Sequence, residues 1–236
     1  MKVDTGIRGL NKLLNGGFLP GKVILVSGVT GTGKTTLAMQ FVHAGTQKGE
    51  NGLFITLEQN KKKMTNDMLS VGMDIKRNKR LTLIGGSMAD IMRFQDKVKA
   101  KPRDFLDEIG EVIRQKRIKR VAIDSINLFL MLFKNEEQRR RALLTLTDML
   151  SNLGCTSVLT TEVREGSSDI SWYGFEEFVV DGVITLTNNI SFDKYYKNAI
   201  SIRKMRGASH RKSLVEYRIT NKGIVVYPEF TIKQRS

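Results

Sequence analysis

The sequence predicts an α/β fold: a mostly parallel, twisted sheet flanked by helices, with antiparallel strands at its C-terminal edge. Three observations predict it. Short apolar runs alternate with longer amphipathic segments over much of the chain, the pattern of parallel strands joined by crossover helices. A glycine-rich turn, Gly28 to Thr36, sits where one strand-like run hands over to a helix-like one. After Gly182 the helical period is lost, and strand-like runs follow one another through turn residues.

In chain order, Val23–Ser27 reads as a strand and Lys34–Gln47 as a helix carrying Leu37, Met39, Phe41 and Val42. Leu53–Leu57 is a strand, Lys61–Ser70 a helix and Leu81–Ile84 a strand. Asp104–Lys116 sets Phe105, Ile109, Val112 and Ile113 near helical spacing. Arg120–Ile123 is a strand, Glu136–Leu153 a helix and Thr156–Thr161 a strand. "TNNIS" (Thr187–Ser191) and "TNKG" (Thr220–Gly223) read as turns between the C-terminal strands. No repeat, low-complexity tract or linker interrupts residues 1–236, so one domain is expected.

Composition narrows the setting. Cys155, the single cysteine, cannot form an internal disulfide and lies in an apolar run, so it reads as a core residue in a reducing compartment. No apolar run approaches the ~18 residues of a membrane span, and no signal-like apolar segment opens the chain. A cytoplasmic protein is expected. The net charge of +15 is large. Its cations are scattered: Lys61 to Lys63, Lys76 to Arg80, Lys97 to Arg103, Arg114 to Arg120, Arg139 to Arg141, and a last cluster in "IRKMRGASHRK", Ile202 to Lys212. Such an excess can attract nucleic acid, or it can be a lysine-rich solubilising surface. No pattern gathers it on one face, so nucleic acid is the less favoured partner.

The strongest chemical signal is "GVTGTGKTT", which fits G-x-x-x-x-G-K-[ST] between a strand and a helix. Gly28, Gly31 and Gly33 let the backbone curl until its N–H groups face a phosphate. The helix that follows Gly33 adds the positive end of its dipole. The whole run Gly28, Val29, Thr30, Gly31, Thr32, Gly33, Lys34, Thr35 and Thr36 is therefore the predicted phosphate cradle for ATP. Lys34 reaches the β and γ phosphates, and the Thr35 hydroxyl is a ligand for Mg²⁺. "RVAIDS" ends an apolar strand in Asp124, the second group expected to hold the metal. Glu58 closes "GLFITLE" at a strand end, where ligands of open α/β sheets bind, and is the expected general base. Thr160, Thr161 and Glu162 close another strand and are placed to sense the γ-phosphate. Lys204 and Arg206, two residues apart on a strand, point to one side, an arrangement suited to an anion.

These residues together resemble the KaiC-like branch of the RecA superfamily. The resemblance begins at "TGIRGLNKLLNGGFLPGKVILVSG". It runs through "GTGKTT", "FITLE", "KRVAIDS", "LTTE" and "YGFEEFVVDGVITL", and ends in "KMRGASHRK" and "ITNKGIVVYP". It implies a RecA-type P-loop ATPase core that assembles with itself into rings, commonly hexamers, with nucleotide at each subunit boundary. Lys204 and Arg206 then reach the neighbouring subunit's γ-phosphate as catalytic cations, with His210 and Lys212 nearer its sugar or base. A stand-alone, archaeal-type relative is implied, because one copy of the core is present.

Two departures qualify what carries over. Members often show two adjacent glutamates where this chain has Glu58 and Gln59. Where a relative's second domain phosphorylates a Ser and a Thr, this chain has Glu176 and Glu177, which cannot accept phosphate, so no autokinase activity is expected there. Two other readings stay open. One is a nucleotide-dependent switch or scaffold with negligible turnover that docks a protein client. The other is a recombinase-like DNA-binding ATPase. Against the latter, the loop "EVREGSSDISWYG" sets Glu162, Glu165 and Asp169 against Arg164, and the core starts within a few residues of Met1. Acidic loops repel the phosphates that dominate DNA affinity. The apolar "INLFLMLFK" that follows Asp124 reads either as a buried helix start or as a contact with a neighbouring chain.

Overall fold

Strand β1 (Val23–Gly28) is buried at every position, as a central parallel strand covered on both faces must be. The computed structural model describes residues 1–85, 89, 96, 102–190 and 196–232. In chain order the elements are α1 (Leu10–Leu13), β1, α2 (Lys34–Gln47), β2 (Asn51–Thr56), α3 (Lys61–Ser70), β3 (Leu81–Gly85) and α4 (Pro102–Gln115). Then come β4 (Ile118–Asp124), α5 (Ile126–Leu130), α6 (Glu136–Asn152), β5 (Thr156–Glu162) and α7 (Glu176–Val179). Strands β6 (Gly182–Ile190), β7 (Tyr196–Met205), β8 (Val215–Thr220) and β9 (Gly223–Thr231) follow. The strands form one sheet in the order β3-β2-β4-β5-β1-β6-β7-β8-β9.

Alternation along β1 divides the core. Ile24 and Val26 pack with Leu37, Phe41 and Val42 of α2 and Met64 and Met68 of α3. Val23 and Leu25 pack on the other face with Ile109 and Ile113 of α4 and Leu143, Leu146 and Leu150 of α6. Asn60 and Asn135 cap α3 and α6 by accepting from the backbone N–H of Lys63 and Gln138. Cys155 is buried, and burial pushes its thiol up to about 11.

Three expectations need correction. The run after Gly182 does not begin the antiparallel edge, since β6 pairs parallel with β1 and only β7, β8 and β9 are antiparallel. "TNNIS" is not a turn through its length, because Thr187–Ile190 continue β6 in register with Tyr196–Ala199. Glu58 lies two residues past the end of β2. The basic stretch Lys97 to Arg103 and the side chain of Phe105 lie outside the described side chains. "INLFLMLFK" starts as a buried helix, with Ile126, Phe129 and Leu130 in the core and Met131 62% exposed.

Arg120, counted in a surface cluster on sequence grounds, is instead 2% exposed. Its guanidinium sits over the Phe41 ring and pairs with Glu50 at 2.5 Å. It also donates to the carbonyl oxygens of Asp4 and Phe41 at 2.7 and 3.0 Å. Gly45 makes room for it: a Cβ there would lie 2.3 Å from Arg120 Nε.

Candidate functional site

The C-terminal ends of β1, β4 and β5, neighbours in the sheet, gather the polar groups. Gly28 closes β1, and residues 29–33 turn back to start α2 at Lys34. Gly33 takes the left-handed conformation at φ 85°, and a side chain there would meet Ile219 at 2.7 Å. The loop is braced from β8 by Tyr217, whose hydroxyl donates to Thr32 O at 2.5 Å. Thr32 Oγ1 donates to Val29 O at 2.8 Å. Thr36 lies half-buried in the first turn of α2.

Lys34 is 7% exposed, with Nζ 3.1 Å from Val29 O and 3.6 Å from the Glu162 carboxylate. Thr35 Oγ1 donates to Asp124 Oδ2 at 2.8 Å, and Thr160 Oγ1 to Asp124 Oδ1 at 2.5 Å. Asp124 is 1% exposed. Burial raises its pKa, an effect opposed by the hydroxyls of Thr160 and Thr35 and by Lys34. Glu58 reaches solvent but is crowded by protein, and lost hydration raises its pKa too; the charges of Asp124 and Glu162 add to this, while the Ser125 hydroxyl opposes it. A buried carboxylate beside a threonine hydroxyl at the mouth of a phosphate loop is a hard-oxygen donor pair that fits Mg²⁺.

The predicted groups fall into two places. Lys34, Thr35, Glu58 and Asp124 come together with the loop. Lys204 and Arg206 do not. Lys204 Nζ donates to the carbonyl oxygens of Glu177 and Val180 at 2.8 and 2.7 Å, and Arg206 to that of Phe178 at 3.0 Å, so both close the end of α7. Burial, with Arg206 nearby, lowers the Lys204 pKa. Met205 is level with Gly182, and Gly182 with Ile24 of β1. Arg206 therefore lies roughly 13 Å or more short of Gly28 along the strands, at ~3.3 Å per residue. Lys212 is exposed, whereas both ring nitrogens of His210 are buried and have no hydrogen-bond partner among the described residues.

Sequence reasoning missed Ser125, whose hydroxyl donates to Glu58, and Tyr217 beneath the P-loop. Thr160, expected from the sequence to sense the γ-phosphate, here donates to Asp124. Strand alternation sets Thr160 on the same face as Val158, but only the sheet order sets it against Asp124. In the loop after Glu162, Arg164 stacks over Trp172 at 5.2 Å.

A P-loop at the end of a central strand, a buried aspartate on β4 facing its threonine and a glutamate after β2 define a RecA-type nucleotide-binding ATPase core. A family model described as "ATPase: KaiC" matches residues 3–231, and the chain belongs to that family. A UPF0273 protein of Pyrococcus furiosus is 30% identical over 242 residues, covering 99% of this chain and 96% of that protein. The circadian clock oscillator protein KaiC of Parathermosynechococcus lividus is 34% identical over 230 residues, covering 96% of this chain and 42% of the clock protein. The chain thus spans nearly all of the first relative and less than half of the second. The crystal structure of a KaiC-like protein from Pyrococcus horikoshii superposes with a TM-score of 0.83 at 34% identity, covering 97% of this chain and 99% of that one.

Proposed function

We propose that residues 1–236 act as one Mg²⁺-dependent, ATP-hydrolysing domain of a cytoplasmic, ring-forming homo-oligomer, with nucleotide held at subunit boundaries. The observation that carries this reading is the joined set Thr35–Asp124–Thr160 with Glu58 beside it. Lys34 and the loop N–H groups bind the phosphates. Thr35 and Asp124 hold Mg²⁺, which when bound neutralises phosphate charge. Glu58, fixed by Ser125, takes the proton of the attacking water.

The place of Lys204 and Arg206, far from their own P-loop along the strands, supports a role on a neighbouring subunit's nucleotide. Arg206 is the better candidate, because it is exposed and, among the described residues, makes a single carbonyl contact. Glu176, wholly buried and accepting from the N–H groups of Tyr173 and Phe175, supports the reading that this segment is structural and not a phosphate acceptor.

The test measures particle mass and phosphate release with and without ATP and Mg²⁺. Assembly with ATP and release that rises in specific activity with protein concentration are expected. Assembly without phosphate release would identify a nucleotide-dependent switch instead.

A further inference from the structure

Two P-loop side chains, Lys34 and Thr30, meet one carboxylate. Glu162 Oε1 lies 3.6 Å from Lys34 Nζ and accepts from Thr30 Oγ1 at 3.2 Å. The carboxylate is held from behind. The Glu162 N–H donates to Asn127 Oδ1 at 3.0 Å, the Val163 N–H reaches Gly28 O at 3.3 Å, and Glu162 pairs with Gly28 in the strand register. Its charge is also felt by Glu58 and Asp124, whose pKa values it helps to raise. Three carboxylates therefore crowd one lysine, on the side where the metal pair and the general base lie.

Resting on the nucleotide-binding reading above, we propose that Glu162 is a built-in competitor for the terminal phosphate, and so sets the discrimination between nucleoside tri- and diphosphates. With a diphosphate bound, the Glu162–Lys34 pair can persist. Lys34 serves the β-phosphate in either case, but a γ-phosphate comes against the ammonium on the side that Glu162 holds and must evict the carboxylate. The cost of binding the triphosphate therefore includes breaking an ion pair that the diphosphate leaves in place, and repulsion between two anions if the carboxylate stays.

The test titrates a non-hydrolysable ATP analogue and ADP into wild type, Glu162→Gln and Glu162→Ala by calorimetry, with Mg²⁺ and with EDTA. Glu162→Gln keeps the shape and the acceptor for Thr30, so only the charge changes. Both variants are expected to bind the ATP analogue ~5- to 10-fold more tightly and ADP less than about twofold more tightly, with the gain shrinking at high salt. Thermal melts near wild type exclude a folding effect, and Glu162→Gln alone suffices if the alanine variant melts early. Unchanged or weaker binding of the ATP analogue, or an equal gain for both nucleotides, overturns the proposal while wild-type binding leaves the nucleotide reading standing. Wild type that binds neither nucleotide overturns both.

Discussion

Ser125 donates its hydroxyl to the Glu58 carboxylate from the position directly after Asp124. The proposed general base is thus tied to the strand end that carries Asp124, the proposed metal ligand. Glu58→Gln keeps this hydrogen bond but loses the base. ATP binding is expected to persist, while turnover falls at least ~10²-fold. Turnover within a few-fold of wild type shows that water is activated elsewhere.

Lys34→Ala removes the buried ammonium from the cradle, and nucleotide binding is expected to vanish. Titration with a fluorescent ATP analogue checks it. Wild-type affinity in that variant removes the P-loop from the site.

Neighbour-supplied cations make a prediction that no single variant can test. Lys34→Ala and Arg206→Ala protomers are each expected to be inactive alone. Mixed, the Lys34→Ala subunits lend an intact Arg206 to neighbours that bind ATP, and activity returns. A trans-acting arginine contributes ~10³-fold or more, so recovery should be plain. Co-assembled mixtures no more active than their parents return Arg206 to its contact with Phe178.

Arg120→Ala is expected to destabilise the fold by ~3–5 kcal/mol, since it empties a buried site and strands the groups that the guanidinium served. Glu50→Gln keeps a neutral acceptor and should cost only ~1–2 kcal/mol. Urea unfolding with fitted slopes measures both, and equal losses would falsify the view that Arg120 is the organising partner.

Asp4 accepts from Lys48, from the Gly6 N–H and from Asn11, and Lys48 above all lowers its pKa to about 2. The folded value lies below the unfolded one of about 3.9. The contribution to stability is therefore complete above the unfolded pKa and fades as pH falls through about 2. The group is partly exposed, so solvent screening keeps the effect small. Asp4→Asn should flatten the acid side of the stability profile between roughly pH 4 and pH 2. An unaltered slope assigns acid sensitivity to other carboxylates.

Periodicity and one motif made much of the architecture legible. Leu37, Phe41 and Val42 on α2 and Ile109 and Ile113 on α4 are buried as their spacing requires. The groups at strand ends were legible because a P-loop restricts which partners chemistry needs. What escaped was set by distance in sequence. Arg120 reads as one more surface cation until Glu50 and Asp4 are folded onto it. Tyr217 shows no link to Thr32 until β8 is seated beside the loop. Thr187–Ile190 looked like a turn because asparagines favour turns. Pairing with β7 overrides that preference.

The place of β1 has a consequence for how the chain is made. Its two neighbours in the sheet are β5 and β6, which supply the partners Ser157–Glu162 and Gly182–Leu186. As the chain leaves the ribosome, the strand that carries the P-loop waits for residues synthesised long after it. At ~5–20 residues per second, that wait is on the order of ten seconds. Meanwhile "VILVSG" presents two unpaired edges to any other nascent chain. Stalling or truncation between β1 and β5 should therefore yield aggregated rather than partly folded protein, and pulse-labelled ribosome-bound chains of increasing length would show solubility returning only once β5 and β6 have emerged.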